Sequence, residues 1–169
     1  MAGKMTLTAE TVREHFDYDP ETGIVRWRKP TAGHIRAGDI AGGITMGGYK
    51  ETCFRGSVIG AHRIAWLHLH GGELPEVIDH INGNPSDNRI ANLRASTHQL
   101  NLQNQRRARA DNKHSGLLGA AFHKASGRYR ARIGMPDGRQ KHLGLFDTAE
   151  QAHAAYIAAK RIYHAACTV

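Results

Sequence analysis

The sequence predicts an α+β protein of two modules, a β-rich first part with short helices and a small three-stranded antiparallel sheet followed by one helix. Three observations predict it. Short β-type runs, broken by Gly, Asn, Pro and Asp, recur along the chain. Helical patterns appear between them, the longest in the alanine-rich C-terminal stretch. Charge is also uneven: 23 Lys and Arg against 15 Asp and Glu give +8 over 169 residues, yet residues 1–103 sum to zero and residues 104–147 carry +7. A module built to meet a polyanion has that asymmetry, and so does a solvated basic surface that keeps a chain soluble.

The elements follow in order. Thr8 to Phe16 reads as a helix capped by Thr8, with Thr11-x-x-Glu14 as an alternative start. Tyr18 to Gly23 is a turn and Ile24–Trp27 a brief strand. Runs at 39–45, 49–54 and 58–61, divided by Gly47-Gly48 and Arg55-Gly56-Ser57, form a small antiparallel meander. His62 to His70 is helical and stops at Gly71-Gly72. Val77–Ile81 is a strand, the cluster from Asn82 to Asp87 a turn, and Asn88–Leu93 a helical turn or two. Ser96-x-x-Gln99 has the form of a capping box, which predicts a helix from Thr97 to about Arg109. Residues 110–115 read as a linker. Strands are expected near 117–123, 128–134 and 139–145, and a helix capped by Thr148 is expected to end near Ala166.

Composition excludes several classes. An apolar share of 40% with 22% charged residues suits a folded chain. No stretch approaches the roughly 18 apolar residues of a membrane helix, and the N-terminus lacks a signal-peptide core, so an intracellular, cytoplasmic location is expected. Cys53 and Cys167 alone make neither a disulfide framework nor a four-cysteine zinc site.

One constellation carries chemistry. Asp79 and His80 adjoin at the end of an apolar strand, with Asn92 and Asn101 at +12 and +21 from His80. Phosphodiester cleavage needs a hard cation on oxygen ligands and a base for water. Asp79 and Asn101 offer such oxygens, and a neutral His80 suits the base. An acceptor oxygen from Asn92 would fix the His80 tautomer. Each residue also has an ordinary reading: Asp79 starting a turn, His80 half-buried, Asn92 and Asn101 facing solvent. A calcium loop fails, because its twelfth position is Ile90.

Residues Ala61–Trp66, then Val77-Ile78-Asp79-His80-Ile81-Asn82-Gly83-Asn84 through Asn92-Leu93-Arg94, then Asn101, resemble the HNH endonuclease family, and within it the phage and intron-associated homing subgroup. The resemblance covers about residues 40–105. It implies a ββα-metal (His-Me finger) core around one divalent ion, with Asp79 and Asn101 as metal ligands, His80 as catalytic base and Asn92 orienting it. Many relatives carry His at the last position; Asn101 instead fits Mg²⁺ or Mn²⁺ better than Zn²⁺. His98 is an alternative ligand, and His62 and Arg63 either approach a phosphate or pack beneath the finger.

Residues 115–166 carry a second likeness. Arg128-Tyr129-Arg130-Ala131-Arg132-Ile133 and Leu143-Gly144-Leu145-Phe146-Asp147-Thr148-Ala149-Glu150-Gln151-Ala152 resemble the AP2 DNA-binding domain, which implies a sheet lying in the major groove. Alternation alone puts Tyr129, Ala131 and Ile133 on one face and Arg128, Arg130 and Arg132 on the other. Gln140 and His142 join the arginine face, free for phosphates and base edges. The domains expected are an N-terminal extension (1–38), an HNH nuclease domain (39–109), the linker, and an AP2-like domain (116–169). The expected function is a monomeric, Mg²⁺-dependent nuclease of double-stranded DNA, without a membrane partner. The competing reading is a DNA-binding regulator whose HNH fold is structural only; nicking DNA with and without metal separates the two.

Overall fold

The structure is a computed structural model describing residues 7–108, 111–164 and 167. It divides into two compact units, Met1–Thr97 and His98–Val169. Among the described residues no helix is long and apolar enough to cross a membrane.

In the first unit, α1 (Ala9–His15) is capped by Thr8, whose hydroxyl accepts from the Thr11 amide at 3.3 Å. The chain passes directly into β1 (Phe16–Asp19), which pairs antiparallel with β2 (Ile24–Trp27). The turn expected from Tyr18 therefore starts later. Phe16 and Tyr18 are buried on alternate positions, which keeps the chain extended. Asp19 then closes the turn, its carboxylate accepting from the Glu21 amide (3.0 Å) and the Thr22 hydroxyl (2.6 Å).

The expected meander is present as β3 (Gly43–Ile44), β4 (Lys50–Phe54) and β5 (Ser57–Gly60). Arg55 and Gly56 link β4 to β5 with φ of 49° and 78°, the left-handed backbone a two-residue hairpin requires. Helix α2 (Ala61–His70) follows at once and ends on Gly71. Its buried face, Ala61, Ile64, Ala65 and Leu67, meets Val12, Phe16, Trp27 and Phe54. The rings of Phe16 and Trp27 lie 4.6 Å apart and those of Phe16 and Phe54 5.3 Å, so a small unit gains an aromatic centre.

Beyond α2 lie β6 (Val77–His80), one turn of 3₁₀ helix (Ile90–Asn92) and β7 (Leu93–Ser96). β7 occupies the four residues just before the expected helix, which starts at His98, one residue later than expected. It pairs antiparallel with β6, setting Asp79 opposite Arg94 and His80 opposite Leu93. Ser96 consequently caps nothing, and its hydroxyl donates to the Thr97 carbonyl. Burying Leu93 and pairing its backbone with β6 takes that residue out of the helical turn expected over Asn88–Leu93.

In the second unit, α3 (His98–Gln103) has only six residues; Arg109, where the sequence places its end, lies outside the described residues. The Gln99 amide donates to the Pro136 carbonyl at 3.0 Å, and the wholly buried Lys160 ammonium donates to the Gln105 carbonyl. Residues 111–115, read as linker, are tied down: the Asn112 amide donates to the Leu117 (3.0 Å) and Ala120 (2.9 Å) carbonyls. The three expected strands are β8 (Ala120–His123), β9 (Arg128–Gly134) and β10 (Gln140–Phe146), an antiparallel sheet with β9 central. Helix α4 (Ala149–Tyr163) starts on a complete Thr148/Gln151 capping box; Ala166 lies outside the described residues. Ala120, Ala131 and Ala152 form the packed centre between sheet and helix, with Tyr129, Leu143, Phe146 and Ala155 around it. Gly119, at φ +77°, admits the Tyr156 ring where a Cβ would stand 2.0 Å from Cγ.

Candidate active site

The turn between β6 and the 3₁₀ helix is built from side-chain amides and carboxylates. Asn82 Oδ1 accepts from the Asn84 amide (2.8 Å), and Asn84 Oδ1 from that of Ser86 (3.1 Å). Each is a local turn closed by its own side chain. Asn82 Nδ2 donates to Asp87 (2.7 Å), which also takes the Arg89 guanidinium through both its oxygens at 2.8 and 2.6 Å. Those bonds to Arg89 hold the Asp87 carboxyl down at about 2. Asn92 reaches across the loop: its Oδ1 accepts from the Asn82 amide (2.9 Å) and its Nδ2 donates to the Asp87 carbonyl (2.8 Å). Both functions of that amide close the loop, so Asn92 does not orient the His80 ring as expected.

The side chain on His80 is another. His80 is 6% exposed, and its Nε2 lies 3.0 Å from Oδ1 of Asn88, itself 1% exposed. The His80 ring stands edge-on to His62 at 5.5 Å and to Tyr49 at 6.0 Å. His62, partly buried on α2, packs beside His80; burial, then the charges of His80 and Arg63, lower its pKa to about 4. Its ring fits because Gly60 has no Cβ, which would come within 2.5 Å of His62 Cε1.

Asp79, 4% exposed, is crossed by Arg94, whose Nε and terminal nitrogen donate to Oδ2 at 2.9 and 2.6 Å. Asn101 and His98 both sit exposed on α3, in the second unit. Among the described residues no three His, Cys, Asp or Glu side chains gather as a metal cluster. The donors expected for an ion are instead one carboxylate and one amide oxygen, the hard chemistry of Mg²⁺ or Mn²⁺. By donor type alone each of these residues suits such an ion.

The stretch from the end of β5 through α2, β6, the closed loop, β7 and α3 decides the family likeness. Residues 60–103 match the HNH endonuclease family. No curated protein and no solved structure matches the chain. The HNH match supports a nuclease, and it contains Asp79, His80, Asn92 and Asn101. It also contains three residues that the sequence reading passed over or gave no role: Asn88, Asp87 and Arg94. Arg94 had a legible signal, since opposite charges face each other once Val77–His80 and Leu93–Ser96 are paired. Asn88 had none, because a bond across eight residues of irregular loop leaves no period.

Outside the HNH match, the second unit's sheet shows the alternation read from its sequence. Ala131 and Ile133 are buried at 0% and 1%, while Arg128 and Arg132 are exposed and Arg130 half-exposed. Register places His142 opposite Arg132 and Gln140 opposite Gly134, so both share the arginine face. A bulge at Leu143 then turns that side chain toward the packed centre. Arg128 donates to Asp147 at 2.9 Å, and Arg130 Nε is buried without a hydrogen-bond partner among the described residues.

Proposed function

We propose that the chain is a metal-dependent endonuclease that hydrolyses a phosphodiester of duplex DNA, of the homing type, docking through an AP2-like C-terminal sheet. The observation that carries this reading is the buried His80 at the end of β6, inside the HNH match and with one ring nitrogen already bonded to Asn88. The other ring nitrogen takes a proton from the attacking water. The water oxygen bonds to phosphorus as the bond to the 3′ oxygen breaks, leaving the 5′-phosphate and 3′-hydroxyl ends that the family implies. Asp79, with Asn101 assigned by resemblance alone, would hold a Mg²⁺ or Mn²⁺ ion, which when bound offsets charge on the phosphate and the leaving oxygen.

Docking rests on charge and alternation: the second unit carries the whole net charge of +8, and Arg128, Arg130, Arg132, Gln140 and His142 share one face of its sheet. Phosphates and guanine edges are the partners such a face suits. With one set of catalytic residues per chain, a monomer nicks a single strand. A second reading, a DNA-binding regulator with a structural HNH fold, draws on Arg94, which occupies Oδ2 of Asp79. Plasmid nicking separates them. The full chain is expected to nick supercoiled DNA with Mg²⁺ or Mn²⁺ and not with EDTA. His80→Ala is expected to lose at least about 100-fold in rate while keeping its DNA affinity. Nicking by His80→Ala at the parent rate would refute the mechanism, and absence of nicking by the parent with either metal would favour the regulator.

A further inference from the structure

We propose that Asn88 is a positioning residue that holds His80 in a single tautomer, and that the β1–β2 hairpin supports it; this rests on reading His80 as the base of a nuclease. Asn88 Oδ1 is 3.0 Å from His80 Nε2 in a buried pair. A carbonyl oxygen only accepts, so Nε2 carries the ring proton and Nδ1 is left with the lone pair that takes a proton from water. Asn88 Nδ2 is buried with no hydrogen-bond partner among the described residues. The His80 ring is therefore the partner that this side-chain amide has, through its oxygen.

The hairpin reaches Asn88 and its neighbours at three points. The Tyr18 hydroxyl donates to the Asn88 carbonyl at 2.8 Å in a buried bond. The Ile90 amide donates to the Pro20 carbonyl at 3.3 Å. Gly23 lies so close that a Cβ there would stand 2.6 Å from the Asn88 carbonyl carbon and 2.5 Å from the Arg89 nitrogen. The N-terminal extension, to which the sequence assigned no task, thereby becomes the backing of the base.

Two measurements on the full chain test this. Ring ¹⁵N shifts of His80, recorded above the histidine titration range without metal, distinguish the protonated nitrogen from the bare one. The Nε2–H form is expected in the parent and a mixture in Asn88→Ala; an Nδ1–H parent would overturn the proposal. Single-turnover nicking with Mg²⁺ is expected to slow about 10- to 100-fold in Asn88→Ala at unchanged DNA affinity. In a His80→Ala background, adding Asn88→Ala is expected to change nothing further. A parent-like rate in Asn88→Ala, or equal slowing in both backgrounds, would overturn it. Should Asn88→Ala fail to fold, Tyr18→Phe keeps the ring and removes only the supporting hydroxyl. It is expected to slow nicking less, and only where His80 is present; slowing without His80 would count against the proposal. If the parent does not nick at all, the nuclease reading fails, and the tautomer measurement still decides the role of Asn88.

Discussion

His62 is a histidine kept from carrying charge beside His80, the proposed base. Its ring is 5.5 Å from that of His80, and burial lowers its pKa from 6.5 to about 4. The unfolded chain therefore takes up a proton at this site before the folded chain does. The associated stability is complete above pH 6.5 and is lost as pH falls toward 4, a difference on the order of 3 kcal/mol at most. Urea unfolding at pH 7 and near pH 4 is expected to show His62→Phe losing less stability than the parent across that interval. An equal loss in both would mean that His62 is not what makes the fold acid-sensitive. Asp79 shows a different residue-scale arrangement. Its carboxylate is buried against a guanidinium, so an ion bound there as proposed would meet an oxygen already held in place and already partly neutralised.

At the scale of elements, what was legible had a period or a terminator. The meander, α2 with Gly71, and the last three strands with α4 all follow from alternation, glycine turns and a Thr148 cap. What escaped were β1 and β7, each four residues long and read as something else from one strong local signal. The Ser96-x-x-Gln99 pattern marks the start of α3 to within one residue, whereas β7 just before it depends on a strand partner fifteen or so residues back in sequence, and no local pattern encodes that partner. The same limit applies at the site. Asp79 and His80 could be named from residue type and neighbourhood, whereas the partner of the His80 ring depended on how the loop from Asn82 to Asn88 folds back. Gly23 tests how firmly the hairpin turn is fitted to that loop. Gly23→Ala introduces both a strained φ of +69° and a Cβ 2.5 Å from backbone, so a destabilisation of about 2 kcal/mol or more is expected in urea unfolding. An unchanged midpoint would show that the hairpin is not seated against Asn88.

For the whole molecule, the division after Thr97 sharpens the charge asymmetry: residues 1–97 are neutral and residues 98–169 carry all of the +8. If that charge meets phosphates, DNA affinity falls steeply with salt, and Arg130→Ala reduces the log–log slope by about 1. Titrations of duplex DNA between 50 and 200 mM salt (roughly the range over which such slopes are read) measure this; an unchanged slope would remove Arg130 from the contact. If the nuclease reading holds, a base and a carboxylate on a unit without net charge have another consequence. Such a unit would have no long-range attraction of its own to a polyanion and would rarely linger on one. Its hydrolytic chemistry would then be felt only where the basic unit keeps it waiting, so dwell time, rather than reactivity, would protect the rest of a genome from stray breaks.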